Sequence, residues 1–197
     1  RLVGSEMCIR DRAYFEDIFA GDADPWDLAS SPYEAAKFDR TIAALSSRRA
    51  ACALEVGCAG GVLTERLSVI CDHLVAIDVS PTALSRARQR LSERPNVRFE
   101  TAAFPRDCPV LEGLDLVVLS EVAYYWSDAD LDLAARRIAQ VLVGGGRLLL
   151  VHWTGDTDYP QTADAAVERL WIGLSDMMTV DVAERHPNYR LDLWSRQ

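Results

Sequence analysis

Apolar positions recur along this chain with two different periods, and the switches between them mark its elements. Tyr14 to Ala20 sets Phe15, Ile18 and Phe19 on one helical face. Gly21-Asp22-Ala23-Asp24-Pro25-Trp26 follows as a loop, since glycine, aspartate and proline each favour turns. Ser31-Pro32 opens the next helix, with serine as cap, proline at the first position and an apolar stripe through Ala35, Phe38, Ile42 and Leu45. Strands and helices then alternate. Strands are predicted at Ala51 to Val56, Leu74 to Asp78, Val97 to Thr101, Leu114 to Ser120 and Arg147 to His152. Helices are predicted at Val62 to Ile70, Pro81 to Leu91, Asp128 to Leu142 and Gln161 to Met178, the third stopping at Gly144-Gly145-Gly146. Thr179 to Glu184 and Tyr189 to Trp194 flank His186-Pro187-Asn188 as a closing hairpin.

This βαβ rhythm calls for parallel strands with helices on both faces. The strands read as continuous apolar runs, as strands buried on both sides do. The expected fold class is therefore α/β: a Rossmann-like, doubly wound, mostly parallel sheet of about seven strands with a C-terminal antiparallel hairpin. Arg1 to Arg12 has neither periodicity nor turn logic. It reads as a non-native N-terminal segment, leaving 13–197 as a single domain.

Composition narrows the partners. The net charge is −9, which disfavours nucleic acid and anionic membrane. No apolar run approaches the roughly 20 residues that span a bilayer. The five cysteines form no Cys-x-x-Cys pair and no metal-ligand spacing, so neither a metal site nor a disulfide framework is expected. Reduced thiols fit a cytoplasmic location.

The chemistry concentrates where the first strand ends. Gly57, Ala59 and Gly61 join it to the first helix of the alternating region, and small residues there let a ligand approach the backbone. Asp78 ends the next strand 21 residues after Gly57, the offset at which a carboxylate meets ribose hydroxyls. A dinucleotide site prefers a third glycine where this chain has Val62. Glu55, two residues before Gly57, would repel a pyrophosphate and suits a ligand bearing an ammonium and a sulfonium. The charge pattern therefore favours S-adenosylmethionine over NAD.

Leu54-Glu55-Val56-Gly57-Cys58-Ala59-Gly60-Gly61 resembles the first motif of class I methyltransferases, and Ala76-Ile77-Asp78-Val79-Ser80 resembles the second. Leu114 to Val122 resembles their fourth-strand motif. Within that superfamily the chain is most similar to nodulation protein S and its relatives. Asp24-Pro25-Trp26, Tyr33-Glu34, Gly61 to Leu67, Ser120 to Tyr125, Val151-His152-Trp153, Thr157 to Pro160 and Tyr189 to Asp192 carry that likeness. It implies a small-molecule acceptor with an amine or hydroxyl, in the sharpest version the amine of a deacetylated chitooligosaccharide.

The resemblance implies that Glu55 holds the methionine ammonium and Asp78, with Val79 beside it, the ribose. Ala102 stands where many methyltransferases carry an aspartate, so adenine recognition falls to backbone groups and Phe104. Ser120 and Glu121 end a central strand, where ligands gather in open α/β sheets. Trp26 and Tyr33 are expected to close over the cofactor with their aromatic faces. His152 is the expected base, with Glu121 and Asp158 as further candidates for the acceptor. Tyr124, Tyr125, Trp126, Trp153 and Tyr159 offer faces for sugar stacking. An O-methyltransferase, an NAD-dependent oxidoreductase and a non-catalytic cofactor-binding module stay open as alternatives.

Overall fold

The computed structural model describes residues 4–108 and 111–197, with side chains from Arg12 onward. Helix α1 (Gly4–Gly21) extends the expected Tyr14–Ala20 helix backward through most of the segment set aside above, whose residues 1–3 lie outside the described residues. Helix α2 (Pro32–Leu45) starts as expected: the Ser31 hydroxyl accepts the Glu34 amide and Pro32 opens the first turn.

The alternating region runs β1 (Ala50–Val56), α3 (Val62–Ile70), β2 (Cys71–Asp78), α4 (Pro81–Arg90), β3 (Val97–Thr101) and β4 (Leu114–Ser120). A single 3-10 turn (Ala123–Tyr125) then leads into α5 (Asp128–Val141) and β5 (Leu142–Trp153). Helix α6 (Ala163–Leu174) precedes β6 (Met178–Arg185) and β7 (Tyr189–Arg196). Serine or threonine caps recur at Ser80, Ser127 and Thr162, each accepting an amide of the first turn.

Among the described residues seven strands form one sheet in the order β3-β2-β1-β4-β5-β7-β6. β7 runs antiparallel to both of its neighbours, so it alone opposes the other six. The expected α/β fold and closing hairpin are both found. Two differences follow from packing. β5 begins at Leu142 rather than Arg147, because Leu142 pairs with Leu114 and the three glycines are taken into the strand across a register shift, Gly145 at φ +72°. No helix crosses from β3 to β4 among the described residues.

The core is two layers divided by the sheet. On one side Leu54, Val117, Leu119, Leu148 and Leu150 meet Leu131 and Ile138 of α5 and Leu170 of α6. On the other, Ala53, Leu116, Val118 and Leu149 meet Phe38 and Leu45 of α2 and Leu63 and Leu67 of α3. Consecutive residues of β4 thus serve opposite layers, the period-two signature of a strand buried on both faces. No described helix is long and apolar enough to cross a membrane.

Helices α3 and α4 approach closely at Gly61. Its φ is +82°, and a Cβ there would lie 2.9 Å from Leu91 Cδ1 and 3.1 Å from the Ala87 backbone. Gly61→Ala therefore combines a left-handed backbone with overpacking. It is expected to cost about 2 kcal/mol of folding free energy, measured by urea denaturation. An unchanged midpoint would show that the contact relaxes freely.

Candidate ligand site at the strand ends

The carboxyl ends of β1, β2 and β4 open into a cavity of about 480 Å³. Its floor is the turn after β1. Gly57 takes φ +75°, its amide and that of Cys58 both donate to the Ile77 carbonyl at 2.8 and 3.0 Å, and a Cβ would fall 2.3 Å from Val122 Cγ1. Only glycine fits there. Ala59 also takes a positive φ, of 47°, which aims its amide at Asp78.

Asp78 is buried, with Oδ2 accepting the Ala59 amide and Oδ1 the Ser80 amide, each at 2.9 Å. Burial pushes its carboxyl above the usual range, and these amides pull against that. The oxygens line the cavity with lone pairs to spare. Glu55 is more deeply placed, only 2% exposed, and its Oε2 has no hydrogen-bond partner. Burial pushes its carboxyl up to about 7, while Thr64 works in the opposite direction. A buried carboxylate oxygen left open toward a cavity is costly unless a cationic or donor ligand meets it.

Several expected residues come together here. Glu55, Gly57, Ala59, Asp78, Val79, Ala102, Phe104, Ser120, Glu121 and Trp26 all line the cavity. Ala102, Ala103 and Phe104 are buried along one wall, where Phe104 packs against Trp126 at 5.6 Å. Phe15 and Phe19 of α1 add aromatic wall, and Phe19 meets Trp26 edge-on at 5.4 Å. Glu16, between them, accepts from the Ser80 and Thr82 hydroxyls and ties α1 to the start of α4.

Four residues are placed differently from the sequence-based expectation. Gly61 lies outside the lining and serves the α3–α4 contact instead. Tyr33 packs behind the wall, edge-on to Trp153 and Tyr189 at 6.1 and 6.3 Å. Asp158 is exposed, although its neighbours Thr157 and Tyr159 line the cavity. His152 is wholly buried, its Nε2 accepts the Ala123 amide at 3.1 Å, and it does not reach the cavity. Burial holds its imidazole down to about 4, which favours the neutral ring. Its strand neighbour Trp153 faces the cavity in its place.

Glu121 does reach the cavity, but its oxygens are engaged. Oε1 accepts from Lys37 Nζ at 2.7 Å, while Oε2 accepts from the Tyr124 hydroxyl and the Trp153 amide, both at 2.8 Å. Lys37 also pairs with Glu34 at 2.8 Å. Burial alone would depress the Lys37 ammonium, yet Glu121 and Glu34 together lift it above its ordinary value. Glu34 enters the sequence reading only as part of the family likeness, and neither α2 charge has a role there. The buried stripe is Glu34, Lys37, Phe38, Thr41 and Leu45, rotated from the expected one so that two charges point inward. The spacing of Glu34 and Lys37 by three, in register with Phe38 and Thr41, was the available signal.

Comparison with known proteins gives a consistent neighbourhood. A family model described as Nodulation protein S (NodS) matches residues 16–154. Nodulation protein S of Bradyrhizobium diazoefficiens is 37% identical over 123 residues, 60% of this chain and 57% of that protein. The chain spans little more than half the length of the curated relatives it matches. The crystal structure of N-methyltransferase NodS from Bradyrhizobium japonicum, in complex with S-adenosyl-L-homocysteine, superposes with a TM-score of 0.79. That match has 26% identity and covers 94% of this chain and 97% of that one. A solved Pseudomonas syringae protein is 36% identical with a TM-score of 0.73, over 83% of this chain and 99% of that one.

The Glu55 geometry makes stability depend on pH. Its folded carboxyl titrates near 7 against an ordinary value of 4.5, so the folded state holds the proton more tightly. That contribution is complete below about 4.5 and is lost as pH rises through about 7. In the ligand-free protein, Glu55→Gln is expected to be the more stable form at pH 8, by on the order of 3 kcal/mol. The two should converge toward pH 4.5, as followed by urea denaturation at each pH. A constant difference across that range would refute the assignment.

Proposed function

This chain belongs to the Nodulation protein S (NodS) family, and we propose that it is an S-adenosylmethionine-dependent methyltransferase acting on a small-molecule amine. The observation that carries this reading is the pair of buried carboxylates at the ends of β1 and β2, one of them, Glu55, with an unpartnered oxygen. That pair suits a ligand offering an ammonium and two ribose hydroxyls, and it is hostile to a pyrophosphate. Glu55 would hold the ammonium and Asp78 the ribose, with Ala102, Ala103 and Phe104 beside the adenine and Trp26 over the cofactor. Bound there, S-adenosylmethionine supplies an electrophilic methyl group on a sulfonium.

The residues at the other end of the cavity set the acceptor's conditions. Glu121 is committed to Lys37, Tyr124 and the Trp153 amide, and His152 is sealed off. His152 does not reach the cavity and Glu121 is held by three donors, so the proposed acceptor is an amine that arrives neutral. Rate enhancement then comes from proximity and orientation. Tyr124 stacks on Tyr159 at 5.2 Å and 11°, and Tyr125 lies 4.4 Å from the same ring. This aromatic group lines the cavity and suits the apolar face of a sugar. An amino sugar, such as a partially deacetylated chitooligosaccharide, is therefore the proposed acceptor.

Two measurements test the reading. In thermal-shift titration S-adenosylmethionine and S-adenosylhomocysteine should stabilise the protein, and Asp78→Ala should weaken that binding about tenfold or more; stabilisation by NAD alone would remove the methyltransferase reading. With a labelled methyl donor, label should enter the amines of partially deacetylated chitooligosaccharides, at a rate rising with pH as the acceptor loses its proton. Label found only in hydroxyl metabolites would overturn the amine. His152→Gln should keep kcat/KM within about fivefold if it folds, and a loss of a hundredfold or more with folding and cofactor binding intact would restore His152 as the base.

A further inference from the structure

The 3-10 turn Ala123–Tyr125 carries Tyr124 and Tyr125 into the acceptor end of the cavity. A turn of three residues has little internal bonding, and its first amides need acceptors from outside. Helices α4, α5 and α6 find theirs in a serine or threonine at the N-cap. Here Val122 holds that position and has no side chain that accepts. The acceptor comes instead from the neighbouring strand, where His152 Nε2 takes the Ala123 amide at 3.1 Å. Its neighbours in β5 pin the residues just before the turn. The Val151 carbonyl accepts the Glu121 amide, and the Trp153 amide donates to Glu121 Oε2, both at 2.8 Å. Of these three contacts from β5, His152 makes the one that reaches the turn itself.

The bracing passes onward from there. The His152 ring meets Tyr124 edge-on at 5.6 Å, so one imidazole contacts the first two residues of the turn. The Tyr124 carbonyl accepts the Gln161 amide at 3.1 Å, which holds the segment bearing Tyr159 in place for the stacked pair. Nε2 can accept only while the proton sits on Nδ1. Nδ1 is buried and has no hydrogen-bond partner among the described residues, so no neighbour competes for that tautomer. We propose that His152 is a positioning residue for the methyl acceptor: protonated on Nδ1, it caps the Ala123–Tyr125 turn and so holds the tyrosines against which the acceptor packs. The assignment rests on the methyltransferase reading above and deepens it by naming a residue that shapes the acceptor wall without touching the acceptor.

His152→Leu keeps the bulk of the side chain and removes the acceptor atom. On the full chain, its KM for partially deacetylated chitooligosaccharide should rise about tenfold or more, while kcat stays within about threefold. Affinity for S-adenosylhomocysteine, measured by calorimetry, should likewise stay within about threefold. His152→Gln, whose Oε1 lies where Nε2 does, should hold KM within about fivefold of the parent. If His152→Leu does not fold, His152→Asn tests the same point, because its oxygen lies where Nδ1 does and cannot reach Ala123. The same rise in KM is expected of it. An unchanged KM in the variant lacking the acceptor, a glutamine variant no better than it, or a parallel loss of cofactor affinity would overturn the assignment. Nitrogen-15 NMR of the parent reads the tautomer separately, with His152→Gln identifying the signals. Nε2 should be the unprotonated nitrogen, and a proton found there refutes the cap. If the parent transfers methyl to no amine, the acceptor reading falls and the positioning role with it, whereas the tautomer still decides whether His152 caps the turn.

Discussion

The cavity depends on one carboxylate. Asp78 accepts the amides of Ala59 and Ser80 and so fastens the turn after β1 to the turn after β2. These turns launch α3 and α4, and the helices then close on each other at Gly61. Two hydrogen bonds to one carboxyl group, with the apolar packing of both helices, hold them at the mouth of the sheet. The side chain that braces the scaffold is also the one presented to the ligand. Preorganisation costs nothing extra when the fold itself demands it.

Around that brace the charges are unevenly distributed. Asp27, Glu34, Glu55, Asp78, Glu121 and Asp130 line the described cavity with Lys37 and Arg106. Such a lining attracts cations and tolerates an anion only where one of the two bases stands. The fixed charges do not act alone. Glu121 adopts a positive φ of 58°, and its engagement with Lys37, Tyr124 and the Trp153 amide couples α2 to the ends of β4 and β5. The acceptor end therefore inherits its shape from the same network that positions Lys37.

Much of this was legible in the residues. Parallel strands buried on both sides appear as plain apolar runs, and serine-proline pairs marked the starts of α2 and α4. Glu55, Gly57 and Asp78 stood out because chemistry and spacing agreed. Orientation was less visible, and for a physical reason. A run buried on both faces has no polar alternation to show which side a given residue takes. His152 and Trp153 were therefore indistinguishable by pattern, and only the packing shows that tryptophan faces the cavity. On α2 the inward face was read from its apolar residues, whereas burial favours a stripe holding Glu34 and Lys37 as a pair. Tyr33, one position away, was consequently assigned to the wrong side of the wall. Gly61 looked like part of a ligand turn because close helix packing and close ligand approach require the same residue.

The sheet order has a consequence for how the molecule is assembled. β7 follows β6 in sequence yet lies between β5 and β6, pairing with both along most of its length. Until it docks, β5 has an open hydrogen-bonding edge, and β6 has no partner at all. During synthesis on a ribosome the first five strands can pair as they emerge, but the sheet cannot close before the eight residues of β7 are free. The contacts of β7 also pair His152 with Arg190 and bring Tyr189 up beside Trp153. The acceptor wall is thus completed by a stretch of chain made later than β1 and β2, from which the cofactor floor can form earlier.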